Sequence, residues 1–265
     1  MERRIGIFDS GIGGLTVARH LIPLFGGMEV LYVGDTARVP YGSRSPETIR
    51  RYARQMTLYL LEQGVEAIVV ACNTISAVAA DVVRECAAGI PVVDVLEPTV
   101  AVALQRTAGC VGIIGTRATI TSGVYERLLH QRARQPLRTY GQPCPLFVPL
   151  VEEGWNTHPV ALQVAEHYLA PLRALGIDTL ILGCTHYPLL LPVFRQLLPK
   201  CHFVESGEAV CEYLRQLGYS PGANGKEARL YIHLTDAPGD VLEHILHQLQ
   251  LAVAEVRQVL LPEYV

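Results

Sequence analysis

The chain has 265 residues, half of them hydrophobic, with 22 Lys and Arg against 25 Asp and Glu for a formal charge of −3. That length supports one large domain or two smaller ones, each able to bury a core. The apolar runs fall far short of the roughly 20 residues that span a bilayer, and no basic run marks a nucleic-acid or anionic-membrane surface, so neither partner is expected. The opening MERRIGIFDSGIGG reaches Asp9 and several glycines before an apolar h-region can form. This argues against a secretory signal and for a soluble, cytoplasmic protein.

Taken in chain order, a β-branched run predicts a strand over 3–9, followed by a helix over 14–25 and a strand over 29–35. Ser45-Pro46-Glu47 then opens a helix over 46–63, with proline at its first position. A strand (67–72), a helix (75–88) and two strands (91–95 and 110–116) come next. Helices over 119–133 and 159–175, a strand over 179–184, a helix over 189–198 and a strand over 202–206 complete the alternation. Beyond them lie a loop rich in Gly and Asn (218–226), a strand at ARLYIHL and a final helix over 240–258. In that helix Val241, Ile245, Leu249, Val253 and Val256 form an apolar stripe, which marks core or subunit contact. Strands apolar throughout and separated by helices predict an α/β fold with mainly parallel sheets covered on both faces.

The two halves echo each other. RRIGIFDSGIGGLTVARHL (3–21) resembles GCVGIIGTRATITSGVYERLL (109–129), and EAIVVACNT (66–74) resembles DTLILGCTH (178–186). Gly6 thus matches Gly112 and Cys72 matches Cys184 at nearly the same offset. Duplication predicts two pseudo-symmetric α/β domains whose matched cysteines face each other across the cleft between them. In open α/β sheets ligands gather at the carboxyl ends of strands. Asp9, Ser10, Asp35, Cys72, Thr116 and Cys184 all fall at such ends.

The seven cysteines are odd in number, widely spaced and without a CxxC. This argues against a disulfide scaffold and a structural zinc site, and no metal is expected. Cys86, Cys110, Cys144, Cys201 and Cys211 read as small buried hydrophobes. Cys72 and Cys184 differ. A helix N-terminus after Cys72 and a histidine two residues past Cys184 would make thiolates available near neutral pH. Two thiols on opposite faces of a planar carbanion suit stereoinversion, one removing a proton and the other returning one. A single covalent nucleophile, a dithiol–disulfide switch, a non-catalytic two-lobed binding module and a metal site stay open as other uses of the pair.

FDSGIGGLTV (8–17), GDTARVPYGSRS (34–45), VVACNT (69–74), CPLFVPLVEEG (144–154) and LGCTHYPLL (182–190) together resemble the glutamate racemase family, from about Ile5 to Glu208. Glu205 stands where that family more often has Asp. The resemblance implies cofactor-independent interconversion of L- and D-glutamate, with Cys72 deprotonating D-glutamate and Cys184 deprotonating L-glutamate. Asp9, Glu152 and His186 would support the thiols. Alone, these three would read as a turn residue, a surface carboxylate and a local hydrogen-bonding group. The implied substrate contacts are Asp9, Ser10, Asn73, Thr74, Thr185, His186 and the backbone of Tyr41 and Gly42, with Thr116 and Thr119 as further candidates. Neutral donors would thus hold a dianionic substrate. An aspartate racemase-like enzyme is the nearest alternative. The resemblance also implies a homodimer, D-glutamate supplied to peptidoglycan synthesis, and a tail that returns to the first unit. The expected domains are 1–98 plus 208–265, and 99–207.

Overall fold

Two parallel sheets carry the strand ends that the sequence marks, in a computed structural model that describes residues 3–87, 89–218 and 227–262. The first part of the chain runs β1 (Arg4–Asp9), α1 (Leu15–Leu21), β2 (Glu29–Gly34), α2 (Pro46–Glu62), β3 (Ala67–Val70), α3 (Asn73–Cys86), β4 (Val92–Asp94) and α4 (Leu96–Arg106). Then come β5 (Cys110–Gly115), α5 (Arg117–Thr121), α6 (Val124–Arg132), β6 (Arg138–Pro143), α7 (Phe147–Glu152), α8 (Pro159–Ala174), β7 (Thr179–Gly183), α9 (Leu191–Leu197), β8 (His202–Glu205) and α10 (Ser206–Gln216). The tail adds β9 (Arg229–Leu234), α11 (Asp240–Leu249) and β10 (Glu255–Gln258). Among the described residues no helix is long and apolar enough to cross a membrane.

One sheet has the order β10-β9-β2-β1-β3-β4 and the other β6-β5-β7-β8, with every pairing parallel. Helices cover such sheets on both faces, so the inner strands are apolar at successive positions. β5 is buried along its whole length, and β1 everywhere but Arg4. The duplication survives at the level of register. Gly6 pairs with Ile68, four residues before Cys72, and Gly112 pairs with Leu180, four residues before Cys184. The largest core cluster is continuous across the two sheets, joining Ile7 and Tyr32 to Leu180 and Phe194.

Local chemistry explains some element ends. Ser45 caps α2 by accepting from the Thr48 N–H at 3.3 Å, with Pro46 behind it. The segment expected as one helix over 119–133 is two, α5 and α6, because Gly123 turns the chain at φ 62°.

The final helix expected over 240–258 is corrected. α11 stops at Leu249, Gln250 takes φ 55°, the Leu251 N–H returns to the Leu246 carbonyl at 3.1 Å, and residues 255–258 become a strand beside β9. The core face of α11 is Leu242, Ile245 and Leu249, so only part of the expected stripe is helical. β6 and α4 were not expected. Beyond Gly218, the loop read at 218–226 lies outside the described residues.

Candidate active site

β3 ends at Val70 and α3 begins at Asn73, which makes Cys72 the N-cap of a 14-residue helix. Its carbonyl accepts the Ser76 N–H at 2.9 Å, so its side chain stands by the free N–H groups of the first turn. The thiol is 4% exposed and lies 3.5 Å from Ser10 Oγ. A lowered thiol pKa is expected at a helix N-terminus, yet burial, and after it the charge of Asp9, push Cys72 up to about 12. Hydrogen bonds from Ser10 and the Ile75 N–H pull the other way and lose. At neutral pH this group favours its thiol form.

Cys184 follows β7 directly but precedes only a 3-10 turn, Tyr187–Leu190, and its chemical partner is a side chain. His186 is 6% exposed and its Nε2 lies 3.1 Å from Glu152 Oε1 at the end of α7. Burial disfavours the imidazolium, but hydrogen bonds to Cys184 and Glu152, together with their charges, carry His186 up to about 10. The ring therefore favours its cationic form at neutral pH, held between Glu152 and Cys184.

Asp9, the last residue of β1, ties these two environments together. It is fully buried, with Oδ2 accepting the Gly11 N–H at 3.0 Å and Oδ1 facing Thr185 Oγ1 at 3.4 Å. Burial raises its pKa, against the opposing charge of His186 and hydrogen bonds from Gly11, Gly14 and Cys72. The turn after it is glycine-rich because the histidine needs the room: a Cβ on Gly13 would stand 2.3 Å from His186 Nδ1 and 2.5 Å from Thr185 Oγ1.

Between the sheets lies a cavity of about 380 Å³ to which both cysteines contribute. Ser10, Asn73, Thr74, Thr116 and Thr185 supply neutral polar groups, and Tyr41, Gly42 and Ser43 form one rim. Thr74 Oγ1 lies 2.9 Å from Thr116 Oγ1 and 3.3 Å from Thr119 Oγ1, joining α3 to α5 across the cleft. Gly42 crosses too, since a Cβ there would lie 2.6 Å from Thr116 Cβ. The Tyr41 side chain is buried, its hydroxyl donating to Asp35. Asp35 also accepts from Arg38 Nε at 2.7 Å and from Thr235 Oγ1 at 2.8 Å, so the 39–43 rim is anchored from β9's end.

Eleven of the thirteen candidate residues named from the sequence line this cavity; Asp9 and Thr119 do not. Arg117, Val39, Pro40, Pro145, Val148 and Pro149 also line it and were not marked by the sequence. Arg117 adds a cation to a lining expected to be neutral. Of the other cysteines, Cys110, Cys144 and Cys211 are buried, whereas Cys86 and Cys201 are only half-buried. Among the described residues no three His, Cys, Asp or Glu side chains gather in a way that could hold a metal ion.

Comparison with known proteins adds a family. The family described as Asp/Glu/Hydantoin racemase matches residues 16–214. A glutamate racemase of Chlorobaculum tepidum is 44% identical over 244 residues, covering 91% of this chain and 86% of its own. One from Syntrophus aciditrophicus is 47% identical over 242 residues, 88% of each. The solved structure of glutamate racemase from Francisella tularensis in complex with D-glutamate has a TM-score of 0.90 at 35% identity, covering 99% of both chains.

Proposed function

Because the chain belongs to the Asp/Glu/Hydantoin racemase family and is an amino-acid racemase, we propose that it interconverts L- and D-glutamate by two-base proton transfer at Cα, with Cys72 and Cys184 as the two thiols. The observation that carries this is the matched placement of the cysteines. Each follows a central strand at the same register in its sheet, and both line one cavity.

In the direction from L-glutamate, the Cys184 thiolate, stabilised by the His186 imidazolium, removes the Cα proton. Cys72, protonated by virtue of its burial, returns a proton to the opposite face. The products are D-glutamate, a Cys184 thiol and a Cys72 thiolate. The reverse direction starts from the Cys72 thiolate, which the substrate ammonium beside Asp9 and Ser10 would stabilise. Asn73, Thr74, Thr185 and the Tyr41–Gly42 backbone hold the carboxylates, so charge developing next to the carbanion meets preorganised donors in a nearly dry site. We divide the chain into one unit of residues 1–98 plus 208–265 and a second of 99–207, a division supported by the membership of β9 and β10 in the first sheet. The enzyme acts as a cytoplasmic homodimer and supplies D-glutamate to peptidoglycan synthesis.

The test is loss of circular dichroism from L-glutamate without added cofactor, with L-aspartate run in parallel. We expect activity on glutamate alone, abolished in folded Cys72→Ser and Cys184→Ser variants. Activity on aspartate alone overturns the substrate, and full activity of either serine variant overturns the two-thiol mechanism.

A further inference from the structure

Tyr125, on α6, has no part in the proton transfer above, yet its side chain touches both cysteine frames. Its ring lies against β7, where a Cβ on Gly183 would stand 3.3 Å from Tyr125 Cε2. Its hydroxyl reaches α3 and donates to Asn73 Oδ1. Gly183 immediately precedes Cys184, and Asn73 immediately follows Cys72. Ser206 Oγ, the first side chain of α10, donates to the same Oδ1 at 3.4 Å. Tyr125 is 1% exposed, and burial pushes its phenol above the ordinary range, so the hydroxyl keeps its proton and remains a donor.

The other end of the Asn73 amide is different. Asn73 is 1% exposed and lines the cavity, and its Nδ2 has no hydrogen-bond partner among the described residues. A buried NH2 left without an acceptor costs free energy unless a ligand supplies one. An amide can be turned over by rotation about its last bond, so its neighbours decide which end faces the cavity. Here two hydroxyls converge on Oδ1. Turning the amide over would oblige both to find new acceptors in a buried site.

We propose that Tyr125, assisted by Ser206, is a positioning residue for substrate: it fixes the Asn73 amide so that Nδ2 presents a donor to a substrate carboxylate beside Cys72. The nature of the carboxylate rests on the function proposed above; the orientation of the amide does not. Asn73 belongs to a helix over the first sheet, whereas Tyr125 and Ser206 belong to helices joined to the second. A substrate contact in one half is thus set by side chains from the other.

The test compares racemisation kinetics of both enantiomers for the wild type, Tyr125→Phe, Ser206→Ala, Asn73→Ala and the Tyr125→Phe/Asn73→Ala double variant. Loss of one hydrogen bond of this kind predicts a KM about tenfold higher for both enantiomers in Tyr125→Phe, with kcat changed less than about threefold. Ser206→Ala, the milder change at the longer contact, shifts KM the same way by less. On the Asn73→Ala background, Tyr125→Phe adds nothing further. A full additional effect on that background, or a fall in kcat at constant KM, overturns the proposal.

The side-chain amide protons of Asn73, followed by NMR, give a readout that needs no substrate. Two resolved, slowly exchanging lines in the wild type should shift or merge in Tyr125→Phe, and unchanged lines overturn the proposal. Wild-type activity on aspartate instead of glutamate would overturn only the substrate assignment, and the same KM comparison would then be made with aspartate.

Discussion

Gly13→Ala tests how closely the turn after β1 and the histidine beside Cys184 depend on each other. The added methyl would stand 2.3 Å from Nδ1 and 2.4 Å from Cε1 of His186. Ordinary contact needs about 3.5 Å, so the ring must retreat by about 1 Å. Its Nε2 lies 3.1 Å from Glu152 Oε1, near the long end of the hydrogen-bonding range, and a shift of that size breaks the bond. A hydrogen bond to a charged group contributes about 1.5–3 kcal/mol, which corresponds to a roughly ten- to hundredfold loss of rate if it supports the transition state. The assay is racemisation of L- and D-glutamate by circular dichroism, with thermal unfolding as the control for folding. Because the two enantiomers have equal free energy, kcat/KM must fall by the same factor in both directions, which checks the data internally. A folded variant with kcat/KM within about twofold of the wild type would refute the idea that His186 must sit where Gly13 admits it.

Two other perturbations probe the surrounding charges. Its hydrogen bonds and the charges around it raise His186 from the ordinary 6.5 up to about 10, so its contribution to stability is complete below pH 6.5 and is lost as pH rises through about 10. Glu152→Gln removes one of the charges that raise it, so the decline in thermal midpoint should begin at lower pH; identical pH profiles would contradict this. Asp35→Asn leaves Arg38 facing a neutral amide in a site where Asp35 is fully buried, and should cost about 2–3 kcal/mol in urea unfolding while raising KM through a loosened Tyr41–Gly42 rim. Unchanged stability together with unchanged KM would show that the rim does not depend on this anchor.

What could be read from the residues follows from where each element lies. β1, β3, β5 and β7 are inner strands, so both of their faces must be apolar and their runs stand out. β6 is the edge of its sheet, half-exposed along RTYGQP, and its Gly and Pro read as a loop. α4 carries Pro98 in its first turn, where proline is tolerated in a helix but in the sequence reads as punctuation. Val253 and Val256 continue the spacing of α11, and only the left-handed Gln250 and the pairing with β9 separate helix from strand.

Of the cavity lining, Cys72, Asn73, Thr74, Cys184, Thr185 and His186 were legible because each lies within four residues of a strand end. Tyr125, Ser206 and Thr235 were not, because their roles depend on partners far away in the chain. The raised pKa of Cys72 was hidden for a related reason. The helix terminus is written in the sequence, whereas the desolvation that outweighs it comes from everything packed around the thiol.

The insertion of β9 between β2 and β10 also bears on how the protein emerges from the ribosome. β9 pairs with β2 along its whole length, and Thr235 reaches Asp35 across 200 residues of chain. The sheet built from β5 to β8 has all its strands within one continuous stretch, so it can close while synthesis continues. The β2 edge has no such local partner. It stays bare until residues 229–234 have been translated, exposing an apolar parallel edge of the kind that recruits foreign strands. Nascent chains stalled before β9 should therefore be the aggregation-prone species, with the second sheet already formed and the first still open.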